Sequence, residues 1–340
     1  MNQETLGAVR KHFGRNIFYS PLWKGLFYFV RDILLFTFFS SLILLTDNLC
    51  LLFPLWILQG LSILALFQLG HDIAHGALFK NRVLSWWLGQ ICLIPSLHPY
   101  HQWVYGHNGI HHGNTSKLKS DLAWHPRSTD RYKTMSAFNR FMHRIYWSSF
   151  GTGIYYLFKM WLQGLILFPA PNLKAKRDIL FVLCFATLSI SAAIYFGGKI
   201  ENDFSLMKGL WMFTKLQLIP FILWNYTIGI IVYVQHINEK ITWKKDAEWT
   251  PFYGQMQATT VYYLPIYINF FAHNIMLHVP HHVHTKIPFY NLPEALALIK
   301  TQYPDYLLES NSFWRDYFHS TTHCKLIDSK TGKWTRYENT

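Results

Sequence analysis

The chain has 340 residues, of which 51% are hydrophobic, 18% aromatic and only 14% charged. A soluble domain carries about 25% charged residues, so this composition argues against a disordered, coiled-coil or collagen-like chain and indicates a membrane protein. Thirty-one Lys and Arg against 18 Asp and Glu give a net charge of +13. In so apolar a chain, this excess favours contact with anionic membrane lipids over nucleic acid.

Four apolar stretches have about the 20 residues that a membrane-spanning helix needs. They cover residues 26–46, 51–69, 179–196 and 210–234. Only Thr46, Asp47 and Asn48 separate the first two stretches clearly, so we expect one helical hairpin there and a second hairpin from the other two. The predicted fold is therefore an all-α integral membrane protein with four transmembrane helices, interfacial helices and a cytosolic histidine-rich cap.

Shorter apolar stretches are weaker candidates for spans. Residues 84–97 are short for a membrane span, and residues 145–168 contain polar positions typical of a helix in the membrane interface. Residues 260–275 are interrupted by Pro265 and Asn269. Within the fourth span, Pro220 predicts a kink.

The placement of Lys and Arg predicts the topology, because cytoplasmic loops carry a positive excess. The segment between the second and third spans carries 13 Lys and Arg, the first 24 residues carry four, and the turn at 46–48 carries none. Both termini and the middle segment are expected on the cytoplasmic side, of the plasma or inner membrane if the source is bacterial. The domain prediction is a cytosolic segment 1–25, a membrane domain 26–300 and a cytosolic segment 301–340.

Eight of the 18 histidines form three clusters on the expected cytoplasmic side. They are His71 and His75, then His107, His111 and His112, and finally His278, His281 and His282. Residues i and i+4 share a helix face, so His71 and His75 can reach the same ion. The same reasoning pairs His107 with His111 and turns His112 by about 100° toward a second ion.

Eight imidazoles exceed the roughly four ligands of one tetrahedral ion and indicate two metals. Neutral imidazoles suit Zn, Cu, Fe or Ni. The four cysteines form no CxxC pair, which disfavours an iron–sulfur cluster or a structural zinc site. A histidine site at the mouth of an apolar bundle fits oxidation of a lipidic chain, with iron as the metal that activates oxygen.

These histidines lie in motifs that resemble those of the membrane fatty-acid desaturases. The motifs are GHDIAH at 70–75, PYHQW at 99–103 leading to His107, TSKLKSDLAWHP at 115–126, YVQHINE at 233–239, HVPHH at 278–282 and IPFYNL at 287–292. The resemblance covers roughly residues 65–300 and is nearest to the delta-12/omega-6 acyl-lipid branch. The second histidine box departs from that branch, which usually has HxxHH where this chain has HxxxHH.

The resemblance implies a non-haem di-iron centre that uses O2 to introduce a cis double bond into a lipid-linked fatty acyl chain. It implies His236 as a ninth ligand, and a role for His273 and Asn274 near the metals, with Asn274 holding a metal-bound water. Ligating imidazoles need a partner for their other nitrogen, so Asp72, Asp121 and Glu239 are candidate orienting residues. Beyond the metal centre, the reaction needs no catalytic acid or nucleophile from the protein.

Electrons must come from outside, because the sequence has no fused haem domain, cysteine-rich ferredoxin segment or GxGxxG motif before a helix. We expect a ferredoxin or a b-type cytochrome as donor, docked on a basic face. That face comprises Lys117, Lys119, Arg127, Arg131 and Lys133. Candidate lining residues for an acyl tunnel are Trp86, Trp87, Trp103, Trp224 and Tyr226.

Two alternatives remain open from the sequence. The first is another di-iron oxidation, namely hydroxylation, acetylenic-bond formation or carotenoid oxygenation, which the longer second box allows. The second is a histidine-rich metal transporter. A transporter predicts polar ligands inside the spans, whereas these spans are nearly free of His, Asp and Glu.

Overall fold

The computed structural model describes residues 4–200 and 203–339, and these are predominantly helical. In chain order the helices are α1 (Leu6–Lys11), α2 (Leu22–Leu45), α3 (Leu49–Ala74), α4 (Arg82–Leu93), α5 (residues 100–114), α6 (Thr129–Lys133), α7 (Ala137–Tyr146), α8 (residues 152–166), α9 (Leu173–Gly198), α10 (Leu206–His236), α11 (Ile266–Ala272), α12 (His278–Val283), α13 (Leu292–Gln302) and α14 (Phe313–His323). The predicted terminal segments include residues 1–3 and 340, which lie outside the described residues.

Several of these helices are not regular α-helices, and short elements join them. Helices α5, α8 and α10 contain π-helical stretches at Val104–His111, Tyr156–Ile166 and Thr214–Leu218, and a separate π-helix covers Tyr253–Gln257. Short 3-10 turns cover Arg15–Phe18, Ile94–Ser96, Asp246–Glu248, Phe289–Asn291, Pro304–Tyr306 and Tyr337–Asn339. Strands pair as β1 (Lys199–Ile200) with β2 (Asp203–Phe204), β3 (Thr260–Tyr262) with β4 (Leu308–Ser310), and β5 (Leu326–Ile327) with β6 (Trp334–Thr335). Of these three pairs, β3 with β4 is parallel, with Thr260 opposite Leu308, and the other two are antiparallel.

Four of the helices, α2, α3, α9 and α10, are long and apolar enough to cross a membrane, which confirms the four predicted stretches. Each helix extends beyond its predicted apolar stretch at one end or at both, because it also includes residues that flank the apolar run. Helix α3 runs to Ala74 and therefore includes His71, and α10 ends at His236. The weaker candidate at 260–275 contains β3 and the short helix α11, which begins after Pro265 and is too short to span.

The long helices pack in two pairs that differ in their environment. Helix α2 packs against α3 across a three-residue turn, and Asn48 caps α3 by accepting a hydrogen bond from the backbone N–H of Cys50 at 2.9 Å. Helix α9 packs closely against α10, where a Cβ on Gly209 would lie 2.3 Å from the carbonyl oxygen of Ile194. Helix α9 exposes most of its apolar side chains, whereas the second half of α3 is almost wholly buried.

The predicted kink at Pro220 corresponds to an irregular stretch of helix α10. Proline has no backbone N–H to donate and its ring crowds the preceding turn. The π-helical turn Thr214–Leu218 lies immediately before Pro220, and the α-helix resumes at Ile219. The turn of helix that precedes the proline is therefore a widened π-turn, and the predicted kink itself stays a prediction.

A single large core joins helices α2, α3 and α10 to both ends of the described chain. It includes Val9 and Ile17 near the N-terminus, Ile63 and Leu66 of α3, and Tyr317 of α14. The middle and C-terminal segments are therefore packed onto the ends of α3 and α10. This packing gathers the histidine clusters into one region.

At the opposite ends of the long helices, Lys215 connects the two pairs. Its side chain is buried, and its ammonium donates hydrogen bonds to Leu44 O at 3.2 Å, Thr46 O at 3.0 Å and Asp47 Oδ1 at 2.8 Å. Trp211 also donates to Asp47 Oδ1 at 2.7 Å. A lysine of helix α10 thus satisfies the free carbonyl groups at the end of α2.

The substitution Lys215→Met should lower the stability of the purified protein. It leaves the carbonyls of Leu44 and Thr46 without their lysine donor and leaves Asp47 with only the donor from Trp211 among the described residues. Hydrogen bonds to a charged group contribute about 1.5–3 kcal/mol each. Lys208→Met, at an exposed position of the same helix, is the matched control. Thermal unfolding in detergent measures both, and equal midpoints for the two variants would show that the Lys215 contacts do not stabilise the fold.

Candidate metal centre

Four separate segments deliver nine histidines to one buried region. Helix α3 contributes His71 in its last turn, and His75 follows as its C-cap residue. Helix α5 contributes three, α10 ends on His236, and α12 contributes three more. Six of the nine are at most 4% exposed, namely His71, His111, His236, His278, His281 and His282. Such burial of imidazoles needs compensating partners, because each is polar.

The first group of histidines combines all three sequence clusters. Ring nitrogens of His71, His75, His107 and His281 all lie within 4.8 Å of one another. His112 adjoins this group, with its Nε2 3.1 Å from Nε2 of His107 and 3.2 Å from Nε2 of His281. The Nε2 atoms of His71 and His107 are 3.2 Å apart. Five imidazoles therefore converge on a space of the size of one ion.

The second group contains the remaining four histidines. Ring nitrogens of His111, His236 and His282 lie within 4.8 Å of one another. Nε2 of His278 is 3.2 Å from Nε2 of His236 and 3.1 Å from Nε2 of His282. The rings of His112 and His282 are 4.3 Å apart between centroids, so the two groups adjoin.

The structure corrects the expected pairing within the second sequence cluster. His107 groups with His112, and His111 belongs to the other group. The reason is the π-helix Val104–His111, in which the N–H of His112 bonds to the carbonyl of His107, an i to i+5 contact. A residue inserted between the histidines is absorbed by the wider turn, so HxxxHH presents both ends of the motif to one group.

Two carboxylates hold histidines of different groups in place. Asp72 Oδ1 lies 3.1 Å from Nδ1 of His71 and Asp121 Oδ1 lies 2.8 Å from Nδ1 of His111. Asp72 also accepts from the N–H of Phe289, and Asp121 from those of Ser116 and Ala123. A carboxylate at Nδ1 keeps the proton there and leaves the Nε2 lone pair facing the group. The sequence-based expectation of orienting carboxylates thus has a structural counterpart at these two positions.

The other predicted neighbours of the centre lie elsewhere. Glu239 accepts a hydrogen bond from Nε2 of His319 at 2.8 Å, on the exposed surface of helix α14. His273 lies with its Nε2 2.7 Å from Oδ2 of the buried Asp32, and Asn274 bonds to Asn269 and to the carbonyl of Phe289. His273 belongs to neither histidine group among the described residues.

Gln255 is a polar contact of the centre that the sequence did not reveal. Its Oε1 lies 2.9 Å from Nδ1 of His282, and its Nε2 donates to the carbonyl of His112 at 2.6 Å. It therefore touches both groups, and its side chain is buried. Gln255 lies on the isolated π-helix Tyr253–Gln257, outside any histidine motif, so no spacing indicated it.

The buried histidines resist protonation. Burial, and next the neighbouring imidazoles, hold the pKa of six of them well below the ordinary range, namely His75, His107, His112, His278, His281 and His282. Nε2 of His75 has no hydrogen-bond partner among the described residues. Neutral imidazoles with lone pairs aimed at a common centre are the donor set of a divalent transition metal, so the residues present fit such ions.

A small cavity of about 70 Å³ touches both histidine groups. Its apolar lining includes Phe67, Trp103, Met160 and Ile228. Of the predicted tunnel residues, Trp103 lines this cavity, Trp86 and Trp87 line a separate groove, and Trp224 and Tyr226 line neither. The two groups thus meet a small space whose remaining wall is largely apolar.

The chain is predominantly helical, has four helices of membrane-spanning length and gathers nine histidines at the ends of these helices. These features define a class of membrane protein with a polyhistidine site. Residues 48–314 match the family model described as fatty acid desaturase. The chain belongs to the fatty acid desaturase family and is an enzyme of that class.

Individual relatives place the chain among the acyl-lipid branch of the family. It is 28% identical over 331 residues to the sn-1 acyl-lipid omega-3 desaturase (ferredoxin) of Synechocystis sp., covering 96% of this chain and 89% of the relative. It is 28% identical to the sn-1 oleoyl-lipid 12-desaturase of Anabaena variabilis, covering 82% and 77%. It is 27% identical to the chloroplastic omega-6 fatty acid desaturase of Glycine max, covering 82% and 63%.

The substitution Asp121→Asn should weaken metal retention by about 10- to 100-fold, the usual effect of losing a carboxylate partner of a ligating histidine. The amide no longer fixes the proton on Nδ1 of His111. Glu239→Gln is the control, since Glu239 contacts His319 at the surface. Metal content after dialysis against graded chelator measures the effect, and equal retention by the two variants would contradict an orienting role for Asp121.

The metal-free protein should lose stability as the pH falls from about 7.5 to about 5. The unfolded histidines titrate near pH ~6.5, whereas the buried ones have a lowered pKa, so below that pH the unfolded chain binds more protons. Each proton taken up on unfolding removes about 1.4 kcal/mol of stability per pH unit.

Thermal midpoints at a series of pH values measure this dependence. The variant His75→Gln/His281→Gln removes two of the titrating groups and should show a shallower fall. An equally steep fall in the variant would place the titrating groups elsewhere in the chain.

Proposed function

We propose that this protein uses O2 to introduce a cis double bond, with a delta-12/omega-6-like position, into a lipid-linked fatty acyl chain at a di-iron centre. The observation that carries the proposal is the convergence of nine histidines in two adjoining buried groups. The relatives named as sn-1 acyl-lipid and oleoyl-lipid desaturases support a glycerolipid-linked chain as substrate.

The proposed ligands divide between two iron ions according to the two groups. One ion is held by His71, His75, His107, His112 and His281, and the other by His111, His236, His278 and His282. All-imidazole donors with no thiolate fit non-haem iron. Bound there, the irons supply the oxygen activation that removal of two hydrogens from neighbouring methylenes requires.

The remaining work belongs to residues of the chain. Asp72 and Asp121 keep the imidazole lone pairs directed at the two groups. The apolar lining of the cavity beside Phe67 and Trp103 excludes water and offers a surface to methylene groups. No acid or base of the protein has to act on the acyl chain itself. His273 and Asn274 have a supporting role at most, since their side chains bond to Asp32, Asn269 and Phe289.

The electron donor we propose is a ferredoxin, with a b-type cytochrome as the second candidate. A relative carries ferredoxin in its name. On the expected basic face, Lys119, Arg127, Arg131 and Lys133 are exposed. Lys117 is engaged in an ion pair with Asp246, so the free positive charge comes from the other four. Opposite charge on an acidic carrier would steer its approach.

The proposed topology has two membrane hairpins, with both termini and the metal centre on the cytoplasmic side. It rests on the excess of Lys and Arg in the segment between α3 and α9. Helix α7 supports it, because Phe138 and Phe141 are 70% and 60% exposed on a helix that also carries Arg140 and Arg144, a pattern typical of the membrane interface. The division into segments 1–25, 26–300 and 301–340 is part of the same proposal.

The fatty-acid profile of a desaturase-free host that expresses the chain tests the reaction. A new unsaturated acid is expected, and it should disappear in His281→Ala/His282→Ala, which removes one histidine from each group. His319→Ala, at a partly exposed histidine paired with Glu239, is the control and should keep full activity. Hydroxylated, acetylenic or oxygenated carotenoid products would assign a different oxidation to the same centre.

Iron content tests the centre independently of the product. The purified protein should hold two iron ions per chain, and His236→Ala should retain about one, because His236 belongs only to the second group. Elemental analysis gives the ratio. A single ion per chain in the unaltered protein would overturn the di-iron assignment even if desaturation is observed.

A further inference from the structure

A groove of about 1260 Å³, separate from the small cavity, lies beside the first histidine group. It is bounded by the end of α3, by α4, by the first turn of α5 and by the start of α9. His75 contributes to its wall. The proposed desaturation assigns no role to this groove.

Part of the groove lining is strongly basic. Its lining includes five exposed side chains from three segments, namely Lys80, Arg82, Lys174, Arg177 and Lys286. Among the described residues, none of the five forms an ion pair. These charges converge although Lys80 and Lys286 are far apart in the sequence. Together they form a binding surface for an anion.

The acidic residue in the lining does not offset these charges. Asp178 is buried, and its Oδ2 accepts hydrogen bonds from the backbone N–H of His101 at 2.8 Å and from Nδ1 of His101 at 2.6 Å. The carboxylate is thus engaged within the wall of the groove. The five basic side chains therefore keep their attraction for an anionic ligand.

The lining of the groove also has an apolar part, on helices α4 and α9. Val83, Trp87 and Ile91 follow one another at intervals of four along α4, and they are 66%, 55% and 40% exposed. Phe181 of helix α9 faces the same space and is 46% exposed. A ligand that fills the groove therefore has an anionic part and an apolar part.

We propose that this groove binds one membrane lipid with an anionic phosphate headgroup. The headgroup lies among the five basic side chains, and an acyl chain lies along the Val83, Trp87 and Ile91 face of α4. A soluble anion would leave that apolar face without a contact, and a neutral lipid would leave the five basic side chains without an anionic partner. The proposal concerns binding only and holds whether or not the bound lipid is desaturated.

Native mass spectrometry of the full chain in detergent tests the binding. With phosphatidylglycerol added, one lipid per chain should be retained, and with phosphatidylcholine at the same concentration none. Lys80→Gln/Arg177→Gln should weaken phosphatidylglycerol binding by roughly tenfold or more, because each basic residue near an anionic lipid contributes to its affinity. Arg131→Gln/Lys133→Gln removes the same charge outside the groove and should leave binding unchanged.

Further variants test the apolar face and repeat the charge test. Val83→Ser/Ile91→Ser should weaken lipid binding without altering the charge, and Arg82→Gln/Lys286→Gln replaces the first double variant if that variant unfolds. Equal retention of the two lipids, or equal weakening by the charge variants inside and outside the groove, would overturn the proposal. Displacement of phosphatidylglycerol by inorganic phosphate at similar concentration would assign a soluble anion to the site instead.

Discussion

The burial of nine imidazoles with their Nε2 atoms facing one another is the constraint on which the rest of this structure depends. Pairs such as His107 and His112, or His278 and His282, have Nε2 atoms 3.1 Å apart. Two lone pairs at that distance repel, and protonating several rings together would put like charges in a buried space. A divalent cation in each group would satisfy the lone pairs of that group, so the geometry of the two groups is one that could hold metal ions.

That constraint explains why the membrane helices end where they do. His71 and His236 stand in the last turns of α3 and α10, so the two helices place the histidines just beyond their apolar stretches. The clusters from α5 and α12 must then be folded back onto these ends. Asp72 connects the end of α3 to the segment that follows α12. One of its oxygens contacts His71, and the other accepts a hydrogen bond from the backbone N–H of Phe289.

Sequence patterns predicted the parts of this protein that depend on local periodicity. The four long helices follow from apolar runs, and His71 with His75 follows from i and i+4 spacing. The pairing of His107 with His112 could not be predicted in this way, because it requires a π-helix. Helical spacing in a sequence is interpreted at 3.6 residues per turn. The contacts of Gln255 with His282 and of His273 with Asp32 join residues distant in the sequence, and no repeat indicates them.

Buried charges along the long helices fix how these helices stand relative to the histidine groups. In the first half of α2, Asp32 accepts from Arg31 and from His273, which closes helix α11 shortly before the third histidine cluster. At the turn between α2 and α3, Lys215 binds Asp47 and the backbone carbonyls. Ionisable groups at membrane depth are costly unless paired, so a shift of one helix by a turn would separate these partners and expose their charges. The two contacts therefore hold α2 and α10 in one register, and this register brings His236 and His278 together.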